Sequence, residues 1–179
     1  VKNIQINGRE HVGGLLGENR GTVNDCYVTG SITGSYGVGG LVGTNNGTIS
    51  GCYVTGSISG IGLDSFSCIG GLVGENNPGI ITCCHATGSV NGSGRYVGGL
   101  VGANNGGTIT TCYATGKVRG SSYFGGLVGF NIYGTVLSSF WDIETCDCSG
   151  SSAGKGLTST QMKTMSIYQN AGWGNQGWV

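Results

Sequence analysis

One phrase recurs along the chain, and its spacing limits what this sequence can fold into more than any other feature does. The phrase G-G-L-[LV]-G begins at Gly13, Gly39, Gly70, Gly98 and Gly125, at intervals of 26, 31, 28 and 27 residues. Repetition at a period of roughly 20–50 residues is typical of solenoids and arrays, in which each repeat buries its apolar face against its neighbours. The repeat therefore predicts a stack of similar structural units.

Alignment of the copies on this phrase brings out two further columns. An asparagine follows the first glycine of each copy at a fixed offset, at Asn19, Asn45, Asn76, Asn104 and Asn131. A cysteine comes next in four copies, at Cys26, Cys52, Cys84 and Cys112, and Ser139 replaces it in the fifth. We expect an amide ladder of asparagines at a turn. The cysteines are expected to form either a buried ladder of free thiols or disulfides between units.

The residues between these columns have the two-residue period of a half-buried strand. In the segment 52–58 the alternation places Cys52, Val54 and Ile58 on one face and Tyr53, Thr55 and Ser57 on the other. Two or three such strands per copy, separated by Gly and Asn turns, predict an all-β parallel β-solenoid of about five coils over residues 1–142. Its repeated glycines are expected where φ is positive or where coils pack closely. An insertion near Leu63 to Cys68 lengthens the second interval and is expected to be a loop.

Residues 143–179 lie outside the repeat and predict a C-terminal loop and capping segment. Thr158 and Gln161 have the spacing of a capping box, which predicts a short helix with Met162, Met165 and Tyr168 on one face. We expect this helix to cover the strand edges of the last coil. The sequence before the first copy has no comparable segment, so that end is expected to join further sequence or to pair with another molecule.

The most prominent candidate for a ligand-binding face is the column that follows the cysteines. It consists of aromatic residues beside a column of threonines: Tyr27, Tyr53, His85, Tyr113 and Phe140, with Thr29, Thr55, Thr87 and Thr115. Aromatic rings with nearby polar groups suit sugar rings or another protein surface. The alternative interpretation is that cross-strand aromatic and threonine pairs only stabilise the sheet.

The segment after the repeat contains a second candidate site. Asp142, Glu144 and Asp147 place three carboxylates close together and offer oxygen ligands for Ca²⁺, with an ordinary solvated acidic loop as the alternative. Cys146 and Cys148 in the same loop are expected to form a disulfide with each other or with Cys68 or Cys83.

Composition and motifs argue against several functional classes. Eight basic and eight acidic residues give zero net charge without clusters, which predicts neither nucleic-acid nor membrane-surface binding, and no apolar run approaches the length of a membrane span. The G-x-S-x-G match at 150–154 lies in a Gly/Ser-rich stretch, and the two histidines, His11 and His85, belong to no H-E-x-x-H motif. We therefore expect no enzymatic activity and no cofactor. Eight cysteines favour an oxidising compartment.

All five G-G-L-[LV]-G copies resemble the GLUG repeat of bacterial cell-surface and secreted proteins. The segments Phe140–Thr145, Gly156–Lys163 and Gly172-Trp173 resemble the tail that often follows such repeats. The resemblance implies an extracellular or cell-surface location, and it implies no shared catalytic residues. Together these observations predict a structural or adhesive module, or a filament subunit, that associates with itself or with other surface proteins. The alternative is a carbohydrate-binding module that uses the Tyr/Thr column.

Overall fold

A computed structural model describes residues 1–62 and 67–174 of the chain. The described strands are short because glycines and polar corner residues interrupt every apolar alternation after a few residues. They repeat in groups of five, and each group forms one coil of a parallel β-solenoid. The predicted fold class is confirmed, but each coil contains five strands where the sequence predicts two or three.

The strand bounds follow the repeat. The first coil contains β1 (Ile4–Asn7), β2 (Glu10–Gly13), β3 (Leu16–Asn19), β4 (Thr22–Asn24) and β5 (Tyr27–Val28). The second contains β6 (Gly30–Gly34), β7 (Tyr36–Gly39), β8 (Val42–Asn45), β9 (Thr48–Ser50) and β10 (Tyr53–Val54). The third contains β11 (Ser57–Gly60), β12 (Cys68–Gly70), β13 (Val73–Asn76), β14 (Ile80–Thr82) and β15 (His85–Ala86).

The remaining coils have the same order. The fourth contains β16 (Val90–Gly92), β17 (Tyr96–Gly98), β18 (Val101–Asn105), β19 (Thr108–Thr110) and β20 (Tyr113–Ala114). The fifth contains β21 (Val118–Arg119), β22 (Phe124–Gly125), β23 (Val128–Ile132), β24 (Thr135–Leu137) and β25 (Phe140–Asp142). The tail adds β26 (Lys155–Leu157), α1 (Ser159–Met162) and α2 (Met165–Asn170). Neither helix in the described part of the chain has the length and apolar content that crossing a membrane requires.

Equivalent strands of successive coils pair in parallel and form five sheets, which we call A to E in the order in which the first coil visits them. The pairing keeps a constant register, so that each column of the sequence becomes a row of side chains along the solenoid. In sheet A, for example, Ile32 pairs with Ile58, and Ile58 pairs with Val90. The inward rows are buried in the middle coils, are partly buried at Ile6 and Val136 in the end coils, and form the core. The predicted insertion at 63–68 lies outside the described residues at positions 63–66, and Cys68 belongs to β12.

The glycine-rich phrase forms the tight bend between sheets B and C. Leu41 and Val42 are both fully buried, although their sequence parity is opposite, because the chain bends between β7 and β8. Gly40, which precedes Leu41, and its equivalent Gly71 in the next copy do not have positive φ. A Cβ atom at Gly71 would lie 2.0 Å from the carbonyl oxygen of Gly99 in the next coil, so close packing of coils explains the glycine.

The corner between sheets D and E needs a left-handed backbone in every coil. One residue with positive φ precedes each member of the cysteine column: Asp25, Gly51, Cys83, Thr111 and Ser138. Glycine would suit this conformation best, yet it occupies only one of these five positions. The corner is thus a property of the stacked coils that the residue types do not reveal.

Residues 146–157, not the helices, cover the strand edges of the last coil. The carbonyl oxygens of Cys146 and Gly150 accept hydrogen bonds from the Val118 and Gly126 N–H groups, at 2.8 and 3.0 Å. β26 pairs with β25 as a sixth strand of sheet E. Ser151 and Ser152, from the G-x-S-x-G match, also bind this edge, and the Ser152 hydroxyl donates to the Gly129 carbonyl at 2.6 Å. The match therefore contributes to the covering of the end.

The C-terminal helical segment differs from its prediction in two respects. The Thr158–Gln161 capping box is present, but the segment divides into α1 and α2, and Met165 is 65% exposed. The helices pack against the outer face of sheet E, where Phe140, Leu157 and Trp173 form a small apolar cluster. The predicted short C-terminal helix is present beside the last coil, but its apolar side chains pack on the lateral face, and residues 146–157 form the hydrogen bonds along the strand edges.

Candidate functional site

The predicted aromatic column is a continuous stack on the outer face of sheet E. Register pairs Tyr27 with Tyr53, Tyr53 with His85, and His85 with Tyr113. Their ring centroids are 5.1, 5.1 and 4.7 Å apart, and their planes differ by 8° or less. The broad ring faces are therefore covered by each other, and the ring edges are turned toward the side of the solenoid.

The two ends of this stack have different environments. At the first coil, the Lys2 ammonium lies 5.8 Å from the centroid of the Tyr27 ring, in the position of a cation–π contact. In the fifth coil Phe140 is buried, and Tyr168 and Trp173 pack against it with centroid distances of 5.5 and 5.7 Å. The tail thus removes the last member of the column from solvent.

The predicted threonine row borders the stack on its C-terminal side. Thr55 and Thr87 are exposed, whereas Thr29 and Thr115 are partly buried. The Thr29 hydroxyl accepts a hydrogen bond from the Asn3 N–H at 2.9 Å, and Thr145 donates to the Thr115 carbonyl at 2.7 Å. The middle of the solenoid therefore presents the most open part of the combined Tyr/Thr surface.

In the stacked part of this column, His85 occupies the position that is tyrosine in the other three coils. Burial lowers the pKa of His85 from its ordinary value near 6.5 to about 4. The neutral imidazole is therefore the form in the folded protein at neutral pH. Its folded pKa lies below its unfolded pKa, so the unfolded chain binds the proton first as the pH falls.

This difference in pKa predicts that protonation of His85 destabilises the folded protein at acid pH. The free energy of unfolding is expected to decrease as the pH drops from about 6.5 to about 4. Below that range, protonation of His85 causes no further decrease. The full shift would correspond to about 3 kcal/mol, and partial solvent exposure reduces the expected loss to about 1–2 kcal/mol.

Urea denaturation at pH 7 and pH 4 measures this loss, with His85→Tyr as the matched control. The substitution restores the residue found at Tyr53 and Tyr113, and it leaves every carboxylate in place, so carboxylate titration cancels in the comparison. The variant should lose less stability than the unaltered protein over this interval. An equal loss in the two proteins would refute the assignment to His85.

The asparagine column lies at the end of sheet C and forms an uninterrupted row of amide hydrogen bonds. Each Nδ2 donates to Oδ1 of the asparagine in the next coil at 2.8 Å, from Asn19 through Asn45, Asn76 and Asn104 to Asn131. Asn45, Asn76 and Asn104 are fully buried. Each of these three also donates to a glycine carbonyl at the following turn. The row therefore ties the coils together and has no free face for a ligand.

The cysteine column contains free thiols that are bonded to the backbone. The Cys52, Cys84 and Cys112 sulfurs are buried and donate to carbonyl oxygens two residues earlier, at 3.0–3.2 Å. The Cys26 and Cys52 N–H groups each donate to the sulfur of the next coil at 3.3 Å. Ser139 reproduces both bonds, because its hydroxyl accepts from the Cys112 N–H and donates to the Leu137 carbonyl. Serine thus substitutes for cysteine in size and in hydrogen bonding.

The environment of Cys52, Cys84 and Cys68 keeps these three thiols protonated. The hydrogen bond to the Cys84 sulfur, together with burial, raises the pKa of Cys52 far above its ordinary value, and burial also raises the pKa of Cys84. Burial and the nearby Glu75 raise the pKa of Cys68 to about 12. Since the thiolate is the nucleophile and the metal ligand, these cysteines are structural.

The three candidate calcium ligands do not converge on one point. The Asp142 carboxylate accepts hydrogen bonds from the Glu144 N–H and the Ser159 hydroxyl at 2.9 and 2.7 Å. The Glu144 carboxylate accepts from the Ser159 N–H at 2.9 Å, so both acids hold the start of α1. Asp147 instead pairs with Lys117 at 3.1 Å and Arg119 at 3.4 Å, and Lys117 lowers its pKa. Within residues 1–62 and 67–174, no three His, Cys, Asp or Glu side chains are grouped to hold a metal ion.

The remaining sequence candidates also lie apart. His11 belongs to β2 in sheet B, where its Nδ1 lies 2.8 Å from the Thr44 hydroxyl, whereas His85 belongs to sheet E. The sulfurs of Cys146 and Cys148 lie at disulfide-bonding distance from each other, and the column members Cys26, Cys52, Cys84 and Cys112 are free thiols.

A second aromatic group, missed by sequence reasoning, lies across sheets B and C in the last two coils. Tyr96 stacks on Phe130 at 4.6 Å, and Tyr123 meets Phe130 edge to face at 5.8 Å. The Arg95 guanidinium lies 5.0 Å from the Tyr123 ring centroid and 5.6 Å from that of Tyr96. These residues stand in different sequence columns, so only the approach of sheets B and C brings them together.

Comparison with known proteins identifies the repeat. The model of the GLUG motif matches residues 8–33, 34–59 and 93–119. The copies of the phrase at Gly70 and Gly125 fall outside these matches, although their strands occupy the same sheets in the same register. Neither the curated proteins nor the solved structures include a match to the chain. Residues 8–33, 34–59 and 93–119 of this five-coil solenoid are therefore GLUG motifs.

Proposed function

We propose that this chain is a non-enzymatic structural and adhesive module of an extracellular or cell-surface protein. The observation that carries the proposal is the unbroken coil-to-coil register of all five sheets. Such pairing makes each coil a rigid continuation of the last, and it repeats similar side chains along every outer face. A stiff body with regular faces suits a spacer or a surface for attachment.

Two features of the molecule support the extracellular location. The resemblance of the repeats to those of bacterial cell-surface and secreted proteins is the first. The second is the Cys146–Cys148 pair, since a disulfide there persists in an oxidising compartment. The free thiols of Cys52, Cys84 and Cys112 are buried, so they are compatible with the same compartment.

Self-association by stacking coil upon coil receives less support from the geometry than from the sequence. The last coil already has a neighbour in residues 146–157, which occupy its edges in sheets A and E. A second molecule would have to displace this segment in order to extend the solenoid at that end. We therefore place self-association, or attachment to another surface protein, on the first coil or on the lateral faces.

The carbohydrate-binding alternative depends on the Tyr/Thr column. Sugar rings stack on the broad faces of aromatic rings, but here those faces are covered by the neighbouring rings at 4.7–5.1 Å. Ring edges and the hydroxyls of Thr55 and Thr87 remain for a glycan. A glycan array tests this alternative: binding that is abolished by Tyr53→Ala would favour it over a purely structural column.

An adhesion assay under shear flow tests the leading proposal. Beads that display the purified chain are expected to stay on cell or matrix surfaces at flow rates that remove uncoated beads. The same chain, incubated with peptide and polysaccharide libraries, is expected to release no product. Beads that carry an unfolded Gly71→Ala variant provide the control for folding. Release of product would contradict the non-enzymatic assignment, and retention no better than that of uncoated beads would contradict adhesion.

A further inference from the structure

Sheet D presents a flat array of hydroxyl and methyl groups that the repeat phrase does not reveal. Its strands have three residues each, and the central residue points into the core: Val23, Ile49, Ile81, Ile109 and Val136. The first and third residues of every strand therefore point outward together. They form two parallel rows that run along the solenoid.

Threonine occupies four of the five positions in the first row and two of the five in the second. The first consists of Thr22, Thr48, Ile80, Thr108 and Thr135, in register across the five coils. The second consists of Asn24, Ser50, Thr82, Thr110 and Leu137, in the same register. None of the chain's sixteen charged residues occupies any of these ten positions. The two large apolar members, Ile80 and Leu137, are 49% and 57% exposed, so the face is open to solvent.

The spacing of this array is fixed by the backbone. Neighbouring members of a row are about 4.8 Å apart, and the two rows are about 7 Å apart, because they are separated by two residues of an extended strand. Threonine is stiff at χ1, so its hydroxyl and methyl groups hold their positions. The Thr110 hydroxyl donates to the Thr82 hydroxyl at 3.1 Å, which aligns the second row between coils.

We propose that sheet D binds ice. Regularly spaced hydroxyls anchor water molecules by hydrogen bonds, while the intervening methyl groups hold water in ordered cages between them. A rigid two-dimensional array of this kind organises a water layer that can merge with the regular surface lattice of an ice crystal. The six threonines of sheet D provide both kinds of group, at positions that the coil-to-coil register spaces regularly.

The chemistry of the face favours ice over other regular surfaces. A charged polymer or mineral would require charged side chains, which the ten positions lack. A crystalline polysaccharide would favour aromatic platforms, and none of the ten residues is aromatic. The face also lies on a different sheet from the Tyr/Thr column, so this inference does not depend on the adhesive role proposed above.

Two measurements test this proposal. The first is the incorporation of the purified, fluorescently labelled chain into a slowly growing ice shell. The second is the shape of single ice crystals in its presence, with the difference between their melting and freezing temperatures (freezing hysteresis). The unaltered chain is expected to concentrate in the ice, to produce faceted crystals and to separate the melting and freezing temperatures. Exclusion from the ice, with round crystals and no hysteresis, would overturn the proposal.

A matched pair of substitutions locates the surface. Thr108→Tyr places a bulky ring in the middle of the first row, whereas Ser57→Tyr places the same ring on the exposed outer face of sheet A. The first is expected to reduce ice binding roughly tenfold, the equivalent of about 1.4 kcal/mol, and the second to leave it unchanged. Thr48→Tyr provides a second substitution in the same row, and circular dichroism verifies that each variant is folded. Equal effects of Thr108→Tyr and Ser57→Tyr, or no effect of either substitution in the row, would refute sheet D as the ice-binding face.

Discussion

Replacement of Gly71 by alanine is expected to prevent folding or to cost more than about 3 kcal/mol, at the upper end of overpacking effects. The added Cβ would lie 2.0 Å from the Gly99 carbonyl oxygen and 2.9 Å from the Ala86 Cβ. The first contact is with backbone of the next coil, which is fixed by hydrogen bonds on both sides. Relief would require separating two coils, and thermal or urea unfolding of the purified variant measures the loss.

The control for this substitution is Gly21→Ala. A Cβ atom at Gly21 would meet no atom within 4 Å, and its backbone does not have positive φ. This variant should unfold within about 0.5 kcal/mol of the unaltered protein. If the Gly71 and Gly21 variants were equally stable, close packing of the coils could not explain the repeated glycine.

The second large effect is expected from Asn104→Ala, which interrupts the buried amide row. Asn104 donates to Asn131 Oδ1 at 2.8 Å and to the Gly107 carbonyl at 3.1 Å, and it accepts from Asn76 Nδ2 at 2.8 Å. Alanine leaves the buried Asn76 amide and the partly buried Asn131 amide each short of a partner, and an unsatisfied buried group costs about 1–3 kcal/mol. We expect a total loss of about 3 kcal/mol in urea denaturation.

The neighbouring Asn105 provides the control, because its side chain is exposed and it occupies the same strand. Asn105→Ala should change the free energy of unfolding by less than about 0.5 kcal/mol. Asn104→Asp separates hydrogen bonding from size: the carboxylate can accept from Asn76 but cannot donate to Asn131 or Gly107. It should therefore destabilise at least as much as alanine at pH 7. A stable Asn104→Asp variant would contradict the role assigned to the donated bonds.

The sequence predicted the solenoid because parallel stacking in register converts a periodic column into a spatial row. The inward placement of Cys52, Val54 and Ile58 also follows from local alternation, and all three are buried. The number of strands per coil did not follow. Each strand is only two to five residues long, so the bends that separate strands are too short to leave a periodic signal.

The candidate sites differ in how far sequence could define them. The members of the aromatic column could be identified directly from the sequence, because an aromatic residue or a histidine follows each member of the cysteine column and its replacement Ser139. Whether the rings offer a binding surface could not be predicted from the sequence, because ring orientation depends on packing between coils. In the structure this packing places the broad ring faces against each other. For the three carboxylates, closeness in sequence was misleading. The chain turns after Asp142, so Asp147 reaches Lys117 and Arg119, while Asp142 and Glu144 reach Ser159.

The sequence by itself determined the repeat, the number of coils and the members of each row, because these depend only on period and register. The tertiary structure decided where each coil bends and which side of each row faces solvent. Leu41 and Val42 both point inward because Leu41 lies in the bend that precedes β8, and Thr108 and Thr110 both point outward because they are two residues apart in one strand. The C-terminal helices settle on the lateral face because Phe140 and Trp173 provide the apolar contact there. These outcomes depend on distances between sheets, which local sequence patterns do not specify.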